Sequence, residues 1–390
     1  MRGKAVGGAI LVLEDGRAFR GEAFGAIGQT VGEAVFNTGM TGYQETLTDP
    51  SYAGQVVVMT APQIGNTGMN DEDGESSAIQ VAGFVVRDPS PRPSNWRSQR
   101  SLESDLDAAG VVGISGIDTR ALTRHLRERG AMRVGVSSWT TDVEELLAAV
   151  LAAPKMAGAD LAPGVSTQQS YVVPALGVTR LRVAALDLGI KSMTPQRMSE
   201  RGIEVEVHPA RTRAAQLLAG TPDGVFISNG PGDPATADYA VDAVRGVLDA
   251  GVPLFGICFG NQILGRALGL STYKLRYGHH GINLPVLDRA TGRVEVTAHN
   301  HGFAIQAPGS PSGEPVARKE RPPPFQTPYG PAEISHVCLN DGVAEGLNCL
   351  EAPAFSVQYH PEAAAGPHDA DYLFDRFVEL MAASGRAGHA

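Results

Sequence analysis

Leu254-Phe255-Gly256-Ile257-Cys258-Phe259-Gly260-Asn261-Gln262 places a cysteine between an apolar strand and the start of a helix. Gly256 and Gly260 lie two residues to either side of Cys258, the spacing found around the nucleophile of serine hydrolases. A sharp strand-to-helix turn strains the nucleophile's backbone, and side chains at the flanking positions would clash. The amino terminus of a helix also favours thiolate over thiol, and the N–H that follows can face an oxyanion. A lone cysteine in apolar surroundings is usually structural, but the two glycines favour a nucleophile.

Strands and helices alternate along the chain before this stretch. The pattern predicts strands at 181–186, 203–207, 224–228 and 252–257, and helices at about 194–201, 212–219 and 235–250. Alternation at this spacing builds a parallel sheet with helices on both faces, and ligands bind beyond the carboxyl ends of its strands. We therefore expect a parallel-sheet α/β domain over residues 179–390.

The first 150 residues differ, because they are rich in short strands. A strand at 9–13, Asp15-Gly16 and a second strand at 18–21 predict a hairpin, since Asp-Gly tolerates a tight turn. Further segments predict strands at 55–59 and 81–86 and a helix at 119–129. Residues 1–150 are thus predicted to form a strand-rich mixed domain, and the aperiodic residues 151–178 a linker. The Pro-rich residues 307–331 are expected to be an exposed insertion.

A second candidate for chemistry lies near the carboxyl end of the chain. Residues 354–362 predict a strand that ends in His360-Pro361-Glu362, because proline stops a strand. Residues two apart in an extended chain point the same way, so Glu362 can lie beside His360. A carboxylate there would hold the imidazole in one tautomer and stabilise the imidazolium. Taken alone the motif is weak, because a histidine near a glutamate is usually a surface pair.

The loop that follows the strand at 224–228 has unusual composition. Ser228-Asn229-Gly230-Pro231-Gly232-Asp233-Pro234 contains two glycines and two prolines, which hold a loop rigidly and leave backbone N–H groups uncovered. Such a loop can form an oxyanion site. A plain turn is the alternative. A phosphate-binding loop is less favoured, because no Gly-Lys-Ser/Thr follows.

Composition limits the classes of function. The 390 residues allow two or three domains, and the 43% apolar content is that of a globular protein. A formal charge of −10 argues against binding to nucleic acid, which usually requires a basic patch.

The three cysteines do not suggest a disulfide framework, so a cytoplasmic location is expected. Cys338 and Cys349 are interpreted as structural. No run of 18 apolar residues predicts a membrane span, and the apolar start of the chain is interpreted as a buried strand, not a signal peptide.

The cysteine stretch, the Gly-Pro loop and the His-Pro-Glu motif occur here in the order loop, cysteine, histidine. Together they resemble the class I, triad-type glutamine amidotransferases. The resemblance implies that Cys258 attacks the side-chain amide of L-glutamine, that His360 moves the proton, and that Glu362 orients His360. Ammonia then leaves, and water hydrolyses the glutamyl thioester to glutamate.

The amino-terminal half narrows the resemblance to one family. Its motifs, and two in the second half, resemble the small chain of carbamoyl phosphate synthetase: FNTGMTGYQETLTDPSY at 36–52, IGNTG at 64–68, IDTR at 117–120, GHHG at 278–281 and NHGF at 300–303. The similarity covers nearly the whole chain except the linker and the insertion. By this resemblance, eight residues would contact glutamine: Ser51, Gly230, Gly232, Phe259, Gln262, Asn300, Gly302 and Phe303. Without it, Ser51 would be interpreted as a turn residue and Asn300 as a loop cap.

Three features depart from the family pattern. Asn261 stands beside the nucleophile where a histidine is often found, which could change local hydrogen bonding. Tyr359 precedes His360 where a glycine is common, which could narrow the mouth of the pocket. The Pro-rich insertion separates residues 300–303 from the His-Pro-Glu strand.

The resemblance also implies a partner. Ammonia would pass through a tunnel to a large synthetase subunit, which uses bicarbonate and ATP to make carbamoyl phosphate for pyrimidine and arginine biosynthesis. Residues 1–150 are expected to contact that subunit. This chain has no Walker-type loop, so ATP and a divalent metal are expected on the large subunit, and no metal or cofactor is expected here.

Two other functions remain open at this point. The chain could be the amidotransferase subunit of another synthase, such as one that makes anthranilate, although the motifs of the first half count against this. It could also be a catalytically silent scaffold that regulates its partner, although the intact Cys258, His360 and Glu362 count against that.

Overall fold

The computed structural model describes residues 7–309 and 322–387. Within this range the chain forms two compact units. The first contains the residues up to Ala159 together with Arg276–Gly281, and the second contains Asp160–Leu275 and the residues from Ile282 onwards. The α/β class expected from the sequence, with a strand-rich first domain, is confirmed. No helix in the described ranges has the length and apolar character of a membrane-spanning segment.

The first unit is built around a closed barrel. Its strands are β1 (Gly8–Leu13), β2 (Ala18–Gly25), β3 (Gln29–Asn37), β4 (Gln55–Met59), β5 (Gln63–Ile64), β6 (Gly83–Val85), β7 (Asp88–Pro89), β8 (Val112–Ser115) and β9 (Met132–Ser137). Seven of them close the barrel in the order β1-β2-β8-β6-β4-β3-β9, while β5 and β7 form a separate pair. The barrel interior is packed with aliphatic side chains such as Leu11, Val56 and Val134, which are fully buried.

Helices of the first unit cover the barrel. They are α1 (Tyr43–Thr48), α2 (Leu102–Ala108), α3 (Thr119–Arg129) and α4 (Val143–Ala152), with a 3-10 turn at Pro50–Tyr52. The predicted hairpin is confirmed: β1 pairs antiparallel with β2, and Gly16 between them has a φ of 85°, which glycine adopts without strain. The predicted helix at 119–129 corresponds to α3.

The second unit contains an 11-stranded mixed sheet. Its strands are β10 (Tyr171–Val173), β11 (Leu181–Leu186), β12 (Ile203–His208), β13 (Gly224–Ile227), β14 (Leu254–Ile257), β15 (Thr272–Asp288), β16 (Val294–Ile305), β17 (Phe325–Thr327), β18 (Gly330–Cys338), β19 (Ala344–Cys349) and β20 (Ala354–Val357). The order is β10-β12-β11-β13-β14-β20-β19-β18-β15-β16, with β17 paired to β18. From β12 to β20 the neighbours are parallel, whereas β20, β19, β18 and β15 pair antiparallel.

Helices pack on both faces of this sheet. They are α5 (Ala162–Val165), α6 (Met193–Ser199), α7 (Ala214–Leu217), α8 (Asp238–Asp249), α9 (Phe259–Ala267) and α10 (Tyr372–Ala387). One hydrophobic cluster joins α8 and α9 to the sheet through residues such as Val244 and Ile263. The other joins α10 to the opposite face, where Phe255 stacks on Phe355 at 4.4 Å between ring centroids. These two layers hold β14, and therefore the residue at its carboxyl end, in a fixed position.

The predicted linker and insertion differ from the structure. Tyr171–Val173, inside the expected linker 151–178, forms β10 and pairs antiparallel with β12, and the division between the units falls after Ala159. Of the expected insertion 307–331, residues 310–321 lie outside the described residues, while Phe325–Thr327 pairs with β18. Strands of three residues are too short for hydrophobic alternation to become visible in a sequence.

Candidate active site

Cys258 occupies the turn between β14 and α9, as the sequence predicts. Its backbone has φ 56° and ψ −101°, a conformation that residues with a Cβ rarely adopt. The flanking glycines are needed for the close packing of this turn. A Cβ on Gly260 would lie 2.2 Å from the carbonyl oxygen of Ile227, and one on Gly256 would lie 2.8 Å from the backbone of Gly260. The crowding inferred from the spacing is therefore present.

The thiol of Cys258 is enclosed by protein. The residue is only 2% exposed, and its Sγ donates to the carbonyl oxygen of Asn300 at 3.6 Å. Its backbone N–H donates to the carbonyl oxygen of Val357 at 2.8 Å, which ties the turn to β20. The sulfur thus lies at the carboxyl ends of two neighbouring parallel strands, where α/β sheets bind ligands.

His360 and Glu362 follow β20 and form a buried pair. The Nδ1–H of His360 donates to Oε1 of Glu362 at 2.7 Å, and both side chains are almost completely excluded from solvent. Burial has the largest effect and lowers the pKa of His360, as does Lys191, but the Glu362 carboxylate and Cys258 together raise it to about 10. His360 Nε2 has no hydrogen-bond partner of normal geometry among the described residues. The imidazole is therefore oriented through Nδ1, with Nε2 left for proton transfer.

Lys191 is a member of this cluster that the sequence analysis missed. Its Nζ lies 3.2 Å from Oε1 of Glu362, and the residue is buried. Burial raises the pKa of Glu362, but Lys191 and His360 together lower it to about 2, so the carboxylate stays ionised. Lys191 follows the carboxyl end of β11, the same edge of the sheet as Cys258. Its position at a strand end was the signal that could have identified it.

The Gly-Pro loop lies at the end of β13 and is held by the loop that follows β11. The side chain of Asn229 donates to the carbonyl oxygen of Gly189 at 2.8 Å. A Cβ on Gly230 would lie 2.1 Å from the carbonyl oxygen of Leu188, and Gly232 has a φ of 93°. Both glycines are required by the conformation of the loop, which supports the interpretation of a preorganised segment.

Gln262 and Phe303 are in direct contact. The Nε2 of Gln262 donates to the carbonyl oxygen of Phe303 at 2.8 Å and to Oε1 of Gln358 at 3.1 Å. Asn261 donates to the same Gln358 oxygen at 3.0 Å and accepts from Ser356 at 2.8 Å. Asn261 therefore takes part in a buried amide network that joins α9 to β20.

Tyr359 does not lie at the mouth of a pocket, so this expectation is wrong. Its side chain is completely buried, and its hydroxyl donates to Oε2 of Glu295 at 3.3 Å. The ring packs edge-on against His336 in the core. Neighbouring residues of an extended chain point to opposite sides, so the side chains of Tyr359 and His360 face apart.

The second unit holds ten of the eleven predicted site residues. Besides the triad these are Gly230, Gly232, Phe259, Gln262, Asn300, Gly302 and Phe303. The last three lie on β16. This strand is bonded to His360, whose backbone N–H donates to the carbonyl oxygen of Ala298 at 2.9 Å. Ser51 belongs to the first unit, where it is buried in the 3-10 turn and its N–H donates to the side chain of Asp49 at 2.9 Å.

The other two cysteines lack such surroundings. Cys338 and Cys349 are buried within strands β18 and β19, and burial raises the pKa of both thiols, that of Cys349 to about 12. A thiol that resists ionisation is a poor nucleophile at neutral pH. Both are therefore structural, as the sequence indicated.

Comparison with known families assigns both halves of the chain. Residues 11–136 match the carbamoyl-phosphate synthase small chain, CPSase domain, and residues 184–380 match the class-I glutamine amidotransferases. The carbamoyl phosphate synthase small chain of Streptomyces coelicolor is 67% identical over 375 residues, which cover 96% of each chain. The chain belongs to the carbamoyl phosphate synthase small-chain family.

Other relatives have similar extents. The small chain from Mycobacterium tuberculosis is 62% identical over 97% of this chain and 99% of its own length. That from Bifidobacterium longum is 56% identical over 97% of this chain and 95% of its own length. As a member of the carbamoyl phosphate synthase small-chain family, the chain carries a class I glutamine amidotransferase domain, and the Cys258–His360–Glu362 cluster lies within that domain.

Proposed function

We propose that the chain hydrolyses L-glutamine and supplies the ammonia to a large synthetase subunit, so that the pair acts as a glutamine-hydrolysing carbamoyl phosphate synthase. The observation that carries this proposal is the buried Glu362–His360 pair, with Cys258 near enough to contribute to the raised pKa of the imidazole. A nucleophile, a base and an orienting carboxylate in this relation perform acyl transfer.

In the reactive form the Cys258 proton already lies on His360, because the raised pKa of the imidazole favours the imidazolium. The sulfur attacks the side-chain carbonyl carbon of glutamine and forms a C–S bond, and the carbonyl electrons move to oxygen. His360 then gives its proton to the amide nitrogen, the C–N bond breaks, and ammonia leaves a glutamyl thioester. Water attacks the thioester with His360 as base, glutamate departs, and the thiol is restored.

The negative charge of the tetrahedral intermediate needs fixed donors. We assign this role to the backbone N–H groups of Phe259, which follows the nucleophile, and of the Gly230–Gly232 loop. Their contribution would be large, because removal of one oxyanion donor costs about 10²–10³-fold in kcat in comparable enzymes. The close packing of Gly230 against Leu188 would help to hold the loop in place.

The remaining predicted residues would recognise the amino-acid part of glutamine. A zwitterionic substrate needs donors for its carboxylate and acceptors for its ammonium group. Ser51 can supply a hydroxyl donor and Gln262 its side-chain carbonyl oxygen as an acceptor, while Asn300, Gly302 and Phe303 on β16 can supply backbone groups. The hydrogen bond from Gln262 to Phe303 at 2.8 Å fixes the relative position of α9 and β16, which these contacts require.

The large subunit would carry the rest of the chemistry. We infer that it binds bicarbonate, ATP and a divalent metal, that it contacts residues 1–150, and that ammonia reaches it through a tunnel in the cytoplasmic complex. Carbamoyl phosphate from this complex would feed pyrimidine and arginine biosynthesis. The family membership of the chain, across both of its halves, supports this division of labour.

The test is synthesis by the complex with each nitrogen source. Cys258→Ser, assembled with the large subunit, should lose glutamine-dependent synthesis of carbamoyl phosphate by at least about 10³-fold, and it should keep ammonia-dependent synthesis. Cys349→Ser, which also removes a buried thiol, should keep both activities. Equal loss of both activities in Cys258→Ser would contradict the proposal, and unchanged glutamate release would exclude Cys258 as the nucleophile.

A further inference from the structure

A cluster of ligand-type side chains lies in the second unit, apart from the catalytic triad. His299 and His301 lie on β16 and Glu345 lies on β19. All three side chains are at most 2% exposed. Nδ1 of His299 and Nε2 of His301 are 3.3 Å apart, and Oε2 of Glu345 lies 3.7 Å from the first and 3.8 Å from the second. The three atoms form a nearly equilateral triangle.

The outer nitrogen of each imidazole fixes its tautomer. Nδ1 of His301 lies 2.8 Å from the carbonyl oxygen of Phe303, which can only accept, so Nδ1 carries the proton. The hydroxyl of Thr297 donates its only hydrogen to the carbonyl oxygen of Leu284, so it accepts from Nε2 of His299 at 2.7 Å. In the neutral imidazoles, both nitrogens that face Glu345 therefore have lone pairs and no proton.

Two imidazole lone pairs and a carboxylate oxygen that converge on one point form a donor set suited to a metal cation. The centre of a triangle with these edges is ~2.1 Å from each corner, which matches zinc bonded to imidazole nitrogen and carboxylate oxygen. Histidines whose outer nitrogens donate to an oxygen acceptor are also the usual arrangement in zinc sites. We propose that His299, His301 and Glu345 bind one Zn²⁺ ion.

The ion would act as a structural link beside the active site. The strands β16 and β19 are not hydrogen-bonded neighbours in the sheet, because β18 and β15 lie between them in its order. Asn300, between the two histidines, accepts from the thiol of Cys258 through its carbonyl oxygen. The carbonyl oxygen of Phe303 accepts from both His301 and Gln262. Zinc would thus hold the strand that borders Cys258.

Metal content measured on the full-length chain, purified without a polyhistidine tag, tests the site. After incubation with Zn²⁺ and removal of the excess, mass spectrometry of the elements should find about one zinc per chain. Glu345→Gln should reduce this to a small fraction of an equivalent. Thr297→Val, which removes the acceptor for His299, should weaken the affinity for zinc by ~10–100-fold. His368→Gln, at an exposed histidine, should keep one equivalent.

A second measurement on the unaltered chain avoids dependence on variants that fail to fold. Removal of zinc by a chelator should lower the melting temperature, and stoichiometric Zn²⁺ should restore it. Stoichiometric Co²⁺ should give visible absorption that Glu345→Gln lacks. The proposal is overturned if the unaltered chain retains no zinc, if chelator and Zn²⁺ leave its melting temperature unchanged, or if Glu345→Gln binds zinc equally well.

Discussion

Cys258 has a backbone conformation that its own side chain disfavours. Its φ of 56° combined with a ψ of −101° lies outside the regions open to residues with a Cβ. A residue held in this way costs about 1–3 kcal/mol, and the surrounding contacts must supply that energy. Those contacts are the packing of α9 against β13 and the hydrogen bond from Cys258 N–H to Val357. The strained conformation places the sulfur at the carboxyl end of the strand.

Glycine at position 258 should therefore give a more stable fold than alanine, and both substitutions should abolish activity. Cys258→Gly is expected to have a free energy of unfolding higher than Cys258→Ala by about 1 kcal/mol, because relief of strain exceeds the extra entropy of glycine in the unfolded chain. Urea denaturation of both variants measures the difference. At the exposed helical residue Ala148 in α4 the order should reverse, with Ala148→Gly less stable by about 1 kcal/mol. A more stable alanine at both positions would show that Cys258 is unstrained.

Glu362 controls the protonation of His360. The Glu362 carboxylate makes the largest contribution that raises the pKa of His360, which reaches about 10 despite burial and the nearby Lys191. Glu362→Gln removes this attraction, so the imidazole should titrate below its ordinary value, and glutaminase kcat should fall on the order of 10³-fold because the tautomer is no longer fixed. Nuclear magnetic resonance of the labelled imidazoles measures the first effect and glutamate release the second. A His360 signal that titrates identically in both proteins would contradict the assignment.

The same pair predicts the pH dependence of stability. A histidine with a raised pKa in the folded state contributes stability that is complete below pH 6.5 and is lost as the pH rises toward about 10. The difference in free energy of unfolding between the unaltered chain and Glu362→Gln should consequently shrink as the pH rises through this interval. A difference that grows with pH would have the wrong sign.

The sequence identified the residues of this pair but not their surroundings. His360 and Glu362 could be paired because residues two apart on an extended chain face the same side. The position of Lys191 at another strand end indicates the same edge of the sheet, but only the fold shows that it lies 3.2 Å from Glu362. Tyr359 was misjudged for a similar reason: its contacts with Glu295 and His336 are distant in sequence.

At the scale of the element, α9 depends on the absence of side chains at two positions. The backbone of Gly260 lies so close to β13 that a Cβ would meet the carbonyl oxygen of Ile227 at 2.2 Å. A backbone atom cannot move aside like the end of a flexible side chain. The helix must therefore shift if this position gains a methyl group, and Cys258 at its start must shift with it.

Gly260→Ala should accordingly destabilise the protein by about 1–3 kcal/mol and lower glutaminase activity by more than tenfold. Gly164→Ala in α5 is the matched control, because a Cβ there meets no atom within 4 Å, and it should leave both stability and activity unchanged. Urea denaturation and glutamate release measure the two effects. Full activity of Gly260→Ala would mean that the turn tolerates displacement.

The elements of the parallel sheet could be predicted, whereas the antiparallel extension could not. Each strand and helix expected between residues 181 and 257 is present, because apolar strand segments alternate there with helical segments along the chain. The strands β15 and β16 mix buried and exposed residues irregularly and contain glycine and histidine where alternation would be expected. Closure of the first unit into a barrel also depends on pairings between distant strands, which no local pattern specifies.

At the scale of the whole molecule, the division into units does not follow the order of the chain. The first unit takes in Arg276–Gly281, a segment more than a hundred residues beyond its other part. The carbonyl oxygen of Arg276 accepts from Ala131 at 2.7 Å, and that of His280 accepts from Thr38 at 3.1 Å. Residues 1–159 alone would lack both of these backbone acceptors.

A chain divided after Ala159 should for this reason reassemble. Co-expressed fragments 1–159 and 160–390 are expected to copurify in equal amounts, because the first fragment is completed by a segment that the second one carries. Replacing residues 276–281 in the second fragment with a Gly-Ser segment of equal length should reduce copurification at least tenfold, since it removes the side chains that pack in the first unit, such as the Tyr277 ring beside Phe36. Size-exclusion chromatography measures both. If fragment 1–159 folds alone with an unchanged melting temperature and elutes separately, segment 276–281 contributes nothing to the first unit.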